Sequence, residues 1–379
     1  MATENEATPP NPEPLPEVVP VSEQTGRHGA PFAGLSAEDL IALNEEIAGM
    51  ARAGLPLDQG MAAMAKEMRS GHLQRVTADI AADLHNGSTL PEAMARQAGR
   101  LPRFYAGLVN AGVRSGRIGD VLATLTVYAR TMADLRSLIL GALFYPAVVM
   151  LLAFTLFGFV FYYLVPEYEA IFDSFKIQLP LLTQIMINIS HHPLPVFGVP
   201  LGAVAALVFA RLFMSRTGKG WRAWTRFVYA MPLMGTLLRS ARLAAFTDLL
   251  GILVDYGTPL PDAFVMAGES SNDPLMAEAS VRAREDLSQG QSLGEVLRRH
   301  NLVPEVVAWM AAMAERRGNL GETLHHVATM YRRQAEMRAA LLRSVLPPFL
   351  IIVTAGALVA LFVLGVALPM MSLLRGLSV

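Results

Sequence analysis

The chain has 379 residues, of which 53% are hydrophobic and 17% charged, with a net charge of −1. Soluble domains carry about 25% charged residues, so the deficit points to membrane-embedded stretches. Near-neutral charge without a long basic run excludes a nucleic-acid-reading arm. The absence of cysteine excludes disulfides, thiolate zinc sites and cysteine nucleophiles. The twenty methionines are expected at helix interfaces and lipid-facing positions rather than on an adaptable binding surface.

Residues 1–34 hold prolines at 9, 10, 12, 14, 16, 20 and 31 among Glu, Asn and Thr, with no apolar signal region. Such a segment buries too little apolar surface to offset its ordering entropy, so a disordered, partly extended tail is expected. Ser36 and Asp39 then form an N-terminal helix signature, followed by Leu40, Ile41, Leu43, Ile47 and Met50 at helical spacing. Gly54 and Pro56 break the chain, Thr89 with Glu92 reads as a capping box, and Gly116 and Gly119 mark the turn into a last helix. No stretch alternates as a strand does, so 35–136 reads as an all-α bundle of five or six helices.

That last helix is expected to run into an apolar stretch between Arg136 and Glu167. A second apolar run occupies 194–214, interrupted by Pro195 and Pro200, and a third lies between Arg343 and Arg375. Each reaches the roughly 20 residues that cross about 30 Å of hydrocarbon. Basic residues set the orientation: Arg130 and Arg136 precede the first run, Arg211, Arg216, Lys219, Arg222 and Arg226 close or follow the second, and Arg332, Arg333, Arg338 and Arg343 precede the third. The positive-inside rule puts both polar segments in the cytoplasm and the 166–193 loop and 375–379 tail outside. Arg211 is expected to snorkel to the cytoplasmic interface. Tyr162, Tyr163 and Tyr168 read as an interfacial aromatic anchor.

The chain also repeats itself. Gly257 follows Gly54 by 203 positions, Gly290 follows Gly87 by 203, Gly318 follows Gly116 by 202, Pro347 follows Pro146 by 201 and Pro369 follows Pro166 by 203. The fold class is therefore an all-α polytopic membrane protein, with two repeated cytoplasmic bundles and three transmembrane helices. Its expected divisions are the tail 1–34, bundle one 35–136, span one 137–165, a periplasmic loop 166–193, span two 194–214, bundle two 215–343, span three 344–374 and the periplasmic tail 375–379. Pro146 and Pro347 should each remove a backbone hydrogen bond and bend a helix near the membrane, as a hinge or as a fixed bend.

Catalytic patterns are missing or incomplete. Gly218-Lys219-Gly220 lacks the upstream glycine and the hydroxyl residue of a phosphate loop, and reads as a juxtamembrane basic turn. The pairs His191-His192 and His325-His326 point about 100° apart on a helix and make poor single-metal sites, so surface or interface roles are expected. Gly268 to Asn272 lacks the second glycine of a nucleophile elbow. Asp79, Asp83, Asp120, Glu315 and Glu322 could bind a cation, but read first as solvated faces or ion pairs. No catalytic residue, cofactor or metal is expected. The first and third runs carry no ionisable residue, which disfavours a repeat-built transporter, and no catalytic pair at membrane depth supports an intramembrane enzyme.

The order AGLPL, GSTLPEAM, GVRSGRIGDVL, FYP opening a span, VPEY and LPLLT resembles the inner-membrane platform protein of type II secretion systems, the general secretion pathway protein F family, which includes type IV pilus platform proteins. The resemblance covers about 36–377. It implies a non-catalytic platform in the bacterial inner membrane that couples a hexameric secretion ATPase to assembly of a pseudopilin fibre. A platform for type IV or competence pili is the alternative. Implied partners are that ATPase, other inner-membrane secretion components, pseudopilins, the lipid bilayer and a second copy of the chain, but not nucleic acid. The family's G-E-x-S-G turn falls on Gly112, Val113, Arg114, Ser115 and Gly116, and again on Ala314, Glu315, Arg316, Arg317 and Gly318. Each copy is a partial match: Val113 replaces the acid in the first, and Glu315 keeps it in the second. Structural or partner-contact candidates are Gly54, Pro56, Gly112, Ser115, Gly116, Gly119, Pro146, Gly257, Pro259, Glu315, Gly318, Gly321 and Pro347. The glycine turns are expected to supply both unusual backbone conformations and close helix approach.

Overall fold

A computed structural model of the chain describes residues 35–97, 99–167, 218–231, 234–271 and 273–363, with single positions between 169 and 214 and at 367, 370 and 371. The expected tail 1–34, the C-terminal tail 375–379, and most of the 166–193 loop and second span lie outside the described residues. Most of those described are helical, with no strand among them.

Bundle one is built from α1 (Ala37–Arg52), α2 (Leu57–Glu67), α3 (His72–His85), α4 (Leu90–Arg96), α5 (Arg103–Arg114) and α6 (Ile118–Phe159). Local chemistry sets these boundaries. The Ser36 hydroxyl accepts from Asp39 N–H at 3.1 Å while Ser36 N–H donates to Asp39 Oδ2 at 3.0 Å, and Thr89 and Glu92 make the same reciprocal box. These bonds satisfy backbone donors that helix ends otherwise leave orphaned.

After α6 come α7 (Gly218–Ala230), α8 (Met234–Asp255), α9 (Leu260–Ser270), α10 (Pro274–Ser288), α11 (Leu293–Arg299), α12 (Glu305–Arg317) and α13 (Leu320–Phe362). Helices α8 to α13 match α1 to α6 one for one at offsets of 202 to 203 through most of their length. The backbone repeats as closely. Among the described residues the glycines at positive φ are Gly54, Gly87 and Gly116 in the first copy and Gly257, Gly290 and Gly318 in the second.

α7 has no counterpart among the described residues, and here the sequence reading is corrected. Gly218-Lys219-Gly220 is the first turn of a helix rather than a basic turn. Glycine disfavours helix by about 1 kcal/mol relative to alanine. Thr225, buried, and Tyr229, half-buried, pack that helix on its bundle, and such burial overrides local propensity.

The two cores differ in their filling. Bundle one centres on Phe104, Tyr105 and Tyr128, with Phe104 edge-on to Tyr128 at 5.5 Å. Burial raises the pKa of both tyrosines above the ordinary phenol range. Asn44 donates to the Tyr105 hydroxyl at 3.2 Å. Bundle two instead stacks Phe246 edge-on against Phe264 at 5.2 Å.

Each bundle ends in a helix that leaves it. α6 continues through a π-helical segment, Val160–Leu164, to Glu167 without a break, 50 residues in all, or about 75 Å at 1.5 Å per residue. Its first half is packed into bundle one, whereas Phe144, Met150, Leu151, Leu152, Phe159, Tyr162 and Tyr163 are exposed. α13 behaves alike, with Phe349, Ile352, Val359 and Phe362 exposed. Both helices are long and apolar enough to cross a membrane. Neither is interrupted at Pro146 or at Pro347 and Pro348. The π-helical turn frees carbonyls, and Ser190 donates to that of Phe161 at 2.7 Å.

Candidate functional site

The sequence-predicted residues gather at one end of each bundle. The Arg52 side chain passes within 3.2 Å of where a Cβ on Gly119 would lie, so the α1–α2 turn with Gly54 and Pro56 lies beside the α5–α6 turn with Ser115 and Gly116. In copy two, Asp255 occupies the space a Gly321 side chain would need, which sets Gly257 and Pro259 beside Gly318. Gly54, Pro56, Ser115, Gly116, Gly257, Pro259 and Gly318 are exposed. The Thr124 and Tyr256 hydroxyls meet at 3.0 Å and link the copies near this end. It lies about 27 Å of helix rise from Arg136, where the apolar part of α6 begins. Pro146 and Pro347 are remote from it and buried on the long helices.

The two expected reasons for glycine separate. Gly116 and Gly318 have φ of +69° and +73° with open space where a Cβ would be. They are needed for backbone conformation, not for close approach. Gly112, like Gly321, is a close-approach glycine: a Cβ there would lie 2.8 Å from Val121 Cγ2. Gly116→Val and Gly318→Val are each expected to cost about 1–3 kcal/mol, read as lower melting temperatures of the full chain in detergent. Melting of both like wild type would exclude a conformational role.

Glu315 also acquires a reason. Its carboxylate accepts from Leu293 N–H at 2.8 Å and so caps α11 from a neighbouring helix. Ser292 contributes one bond, from Glu295 N–H at 3.4 Å. The reciprocal bond of a capping box, expected here by analogy with Thr89 and Glu92, is not among those described for this helix. In copy one the matching residue is Val113, exposed, and the Thr89 box caps α4 without help. Three of the other four acids are held by basic partners: Asp79 by Arg100 at 2.6 Å, Asp83 by Arg96 at 2.6 Å and Asp120 by Arg117 at 2.9 Å.

Sequence reasoning missed one cluster. His325 on α13 lies between two carboxylates of α8, with Nδ1 at 3.0 Å from Asp248 and Nε2 at 3.0 Å from Asp255. Gly251 lets the ring lie close, since a Cβ there would be 3.1 Å from it. The carboxylates face opposite nitrogens, so the group cannot close around one metal ion, and no metal-type cluster occurs among the described residues. Instead it favours imidazolium. The Asp248 hydrogen bond raises the His325 pKa, burial opposes it, and Asp255 adds to the rise. Because the folded pKa is raised, this stabilisation is fully present below the unfolded value of about 6.5 and is lost as pH rises through the folded value. The melting temperature is therefore expected to fall across that window, and His325→Phe to flatten the fall. An unchanged pH profile in the variant would assign the dependence elsewhere. The signal was a 77-residue separation between His325 and Asp248, which no local motif carries.

A second cluster joins α7 to its bundle. The Tyr229 hydroxyl donates to Asp273 and accepts from Arg242 at 3.0 Å. Arg242 pairs with Asp273 at 3.5 Å, and their side chains are 17% and 7% exposed. Asp273 also caps α10 through Leu275 N–H at 2.9 Å. Burial is the main cause of the raised Tyr229 pKa; Arg242 opposes it and Asp273 adds to it. These groups fix one another.

The family model described as "Type II secretion system (T2SS), protein F" matches residues 45–166 and 246–369, one segment in each copy. The chain is 30% identical over 355 residues to a type II secretion system protein F of Pseudomonas aeruginosa, covering 93% of this chain and 87% of that one. It is 29% identical over 348 residues to the type IV pilus assembly protein TapC of Aeromonas hydrophila, covering 90% and 83%. It is likewise 29% identical over 348 residues to the type IV pilus assembly protein PilC of Thermus thermophilus, covering 91% and 85%.

Proposed function

The chain belongs to the type II secretion system protein F family, and from that premise we propose that it is the non-catalytic inner-membrane platform of a secretion system. In this reading it couples a cytoplasmic secretion ATPase to growth of a pseudopilin fibre. One observation carries the proposal: each bundle is continuous, through one unbroken helix, with an exposed apolar stretch long enough to cross a membrane. A displacement of the bundle would pass into the span without a flexible joint. The exposed bundle ends with their glycine turns are the proposed contact surfaces for cytoplasmic partners.

The topology that goes with this function has bundles at 35–136 and 215–343 in the cytoplasm and spans at 137–165, 194–214 and 344–374. A reporter fused after Val379 is expected to be active in the periplasm, and cytoplasmic activity would remove one span. Purified protein is expected not to hydrolyse ATP. Hydrolysis that a point substitution abolishes would overturn the non-catalytic reading.

Relatives named for type II secretion and for type IV pilus assembly resemble the chain to similar degrees, 30% and 29%. Pilus assembly is therefore the second reading. Deleting the gene in its host is expected to abolish export of secreted proteins and leave pili intact, with restoration by the wild-type gene. Loss of pili alone would favour the second reading, and loss of neither would overturn both.

A further inference from the structure

α7 follows the second apolar run by three residues and carries the sequence GKGWRAWTRFVYA. Its inner side is fixed to bundle two by Thr225, by Tyr229 through Asp273 and Arg242, and by Arg222, which pairs with Glu278 at 2.9 Å. Its outer side exposes Ala223, Arg226, Phe227 and Ala230. Phe227 is 48% exposed, and its ring lies 5.9 Å from that of the half-buried Trp224. Arg226 has no carboxylate partner among the described residues. Neither has the exposed Arg239 on α8, whose guanidinium lies 5.0 Å over the Tyr229 ring.

The height of this surface follows from α8. Arg338 of α13 donates to Thr236 O at 2.6 Å and to the Ser240 hydroxyl, whereas His325 meets Asp248 and Asp255. α8 therefore runs antiparallel to α13 with its N-terminus towards the apolar half. Arg338 precedes Arg343, after which that half begins, by about 7.5 Å of helix rise. The C-terminal end of α7 joins α8 at this level through residues 231–233. Its N-terminal end joins the apolar run 194–214, which the reading above makes a span. A helix tied at both ends to the membrane boundary lies along the bilayer surface. Aromatic rings beside unpaired arginines suit the headgroup layer, where rings bury their apolar edges and guanidinium groups meet phosphate.

We propose that α7 is a membrane-surface helix that binds anionic phospholipid headgroups through Arg226 and Arg239, with Trp224 and Phe227 set into the cytoplasmic interface. The inference rests on the membrane-spanning reading, and its test separates the two. The chain has three tryptophans, Trp221, Trp224 and Trp309. Trp309 is exposed on α12, which joins α13 at the end remote from the apolar half. Its helix of 13 residues spans about 20 Å, against about 35 Å from Leu320 to Arg343. Full-length proteins retaining only Trp224 or only Trp309, with phenylalanine at the other two positions, would be reconstituted into liposomes. The vesicles would contain brominated phosphatidylcholine or brominated phosphatidylglycerol.

Trp224 should be quenched, more strongly by the anionic lipid, and Trp309 should not. Arg226→Gln with Arg239→Gln should cut the anionic preference at least about fivefold, and Arg226→Lys with Arg239→Lys should restore most of it. Both arginines are exposed, so these variants keep the core intact. Equal quenching of Trp224 and Trp309, or equal quenching of Trp224 by the two lipids, overturns the proposal. Alkaline carbonate extraction of the same liposomes reads the premise. Release of the chain would overturn the spanning reading and this inference together, whereas retention with unquenched Trp224 overturns the inference alone.

Discussion

Asp273→Ala is expected to destabilise the second bundle by about 3–5 kcal/mol and to loosen α7 from it. The carboxylate is buried, pairs with Arg242, accepts from Tyr229 and caps α10. Truncation leaves a largely buried guanidinium without its countercharge, which costs far more than the loss of an exposed ion pair. It also removes an N-cap, worth about 1 kcal/mol. Asp273→Asn separates these effects, since asparagine caps as well as aspartate but carries no charge. Unfolding of full-length protein in detergent should rank the wild type above Asp273→Asn and that above Asp273→Ala. Release of α7 should appear as greater solvent exposure of Trp224 in the protein retaining only that tryptophan. Equal stability of Asp273→Ala and wild type would mean that this network does not hold α7. Because α7 is the proposed membrane-surface element, the Asp273 variants should also weaken Trp224 quenching by lipid in proportion to their loss of stability.

What the sequence made legible was local or repeated. The cap at Ser36 and the box at Thr89 involve residues three apart, so their chemistry is written in short motifs. The glycine turns could be found because they occur twice at one spacing, and a left-handed backbone position is a demand that few residues other than glycine meet. Contacts between distant helices were not legible. Nothing near His325 announces Asp248, and nothing near Glu315 announces the N–H of Leu293. α7 was missed for a related reason. Its glycines argue against helix locally, and only burial of Thr225 and Tyr229 against other helices outweighs them. The family's turn motif was visible, but its acid looked like a surface contact until the fold placed it on the end of α11. That placement explains how Val113 can stand at the matching position in copy one. There the Thr89–Glu92 box already serves α4, so the acid has no structural work to do.

Phe264→Ala is expected to cost about 3–5 kcal/mol. Phe264 is fully buried and stands edge-on to Phe246 at 88°, so truncation loses both the apolar burial and an aromatic pair. By the 203-residue period the matching positions in copy one are Met61 and Leu43, also fully buried. Phe264→Met therefore imports the first bundle's residue into the second. It should cost less than alanine, because an unbranched thioether refills part of the volume, but more than nothing, because the ring pair is lost. Urea unfolding of full-length variants in detergent should give the order wild type, Phe264→Met, Phe264→Ala. If methionine matched wild type, the cores would be interchangeable at this position. The expected order follows from what each bundle packs. Copy one builds its centre from Phe104, Tyr105 and Tyr128 on α5 and α6, and copy two from Phe246 and Phe264 on α8 and α9. At the exposed ends Arg52 in one copy stands where Asp255 stands in the other, reversing the charge beside the same glycine turn. Shared backbone with unlike cores and unlike ends makes the bundles two parts rather than one part used twice, and a chain carrying bundle one in both places should neither fold as stably nor restore the deletion.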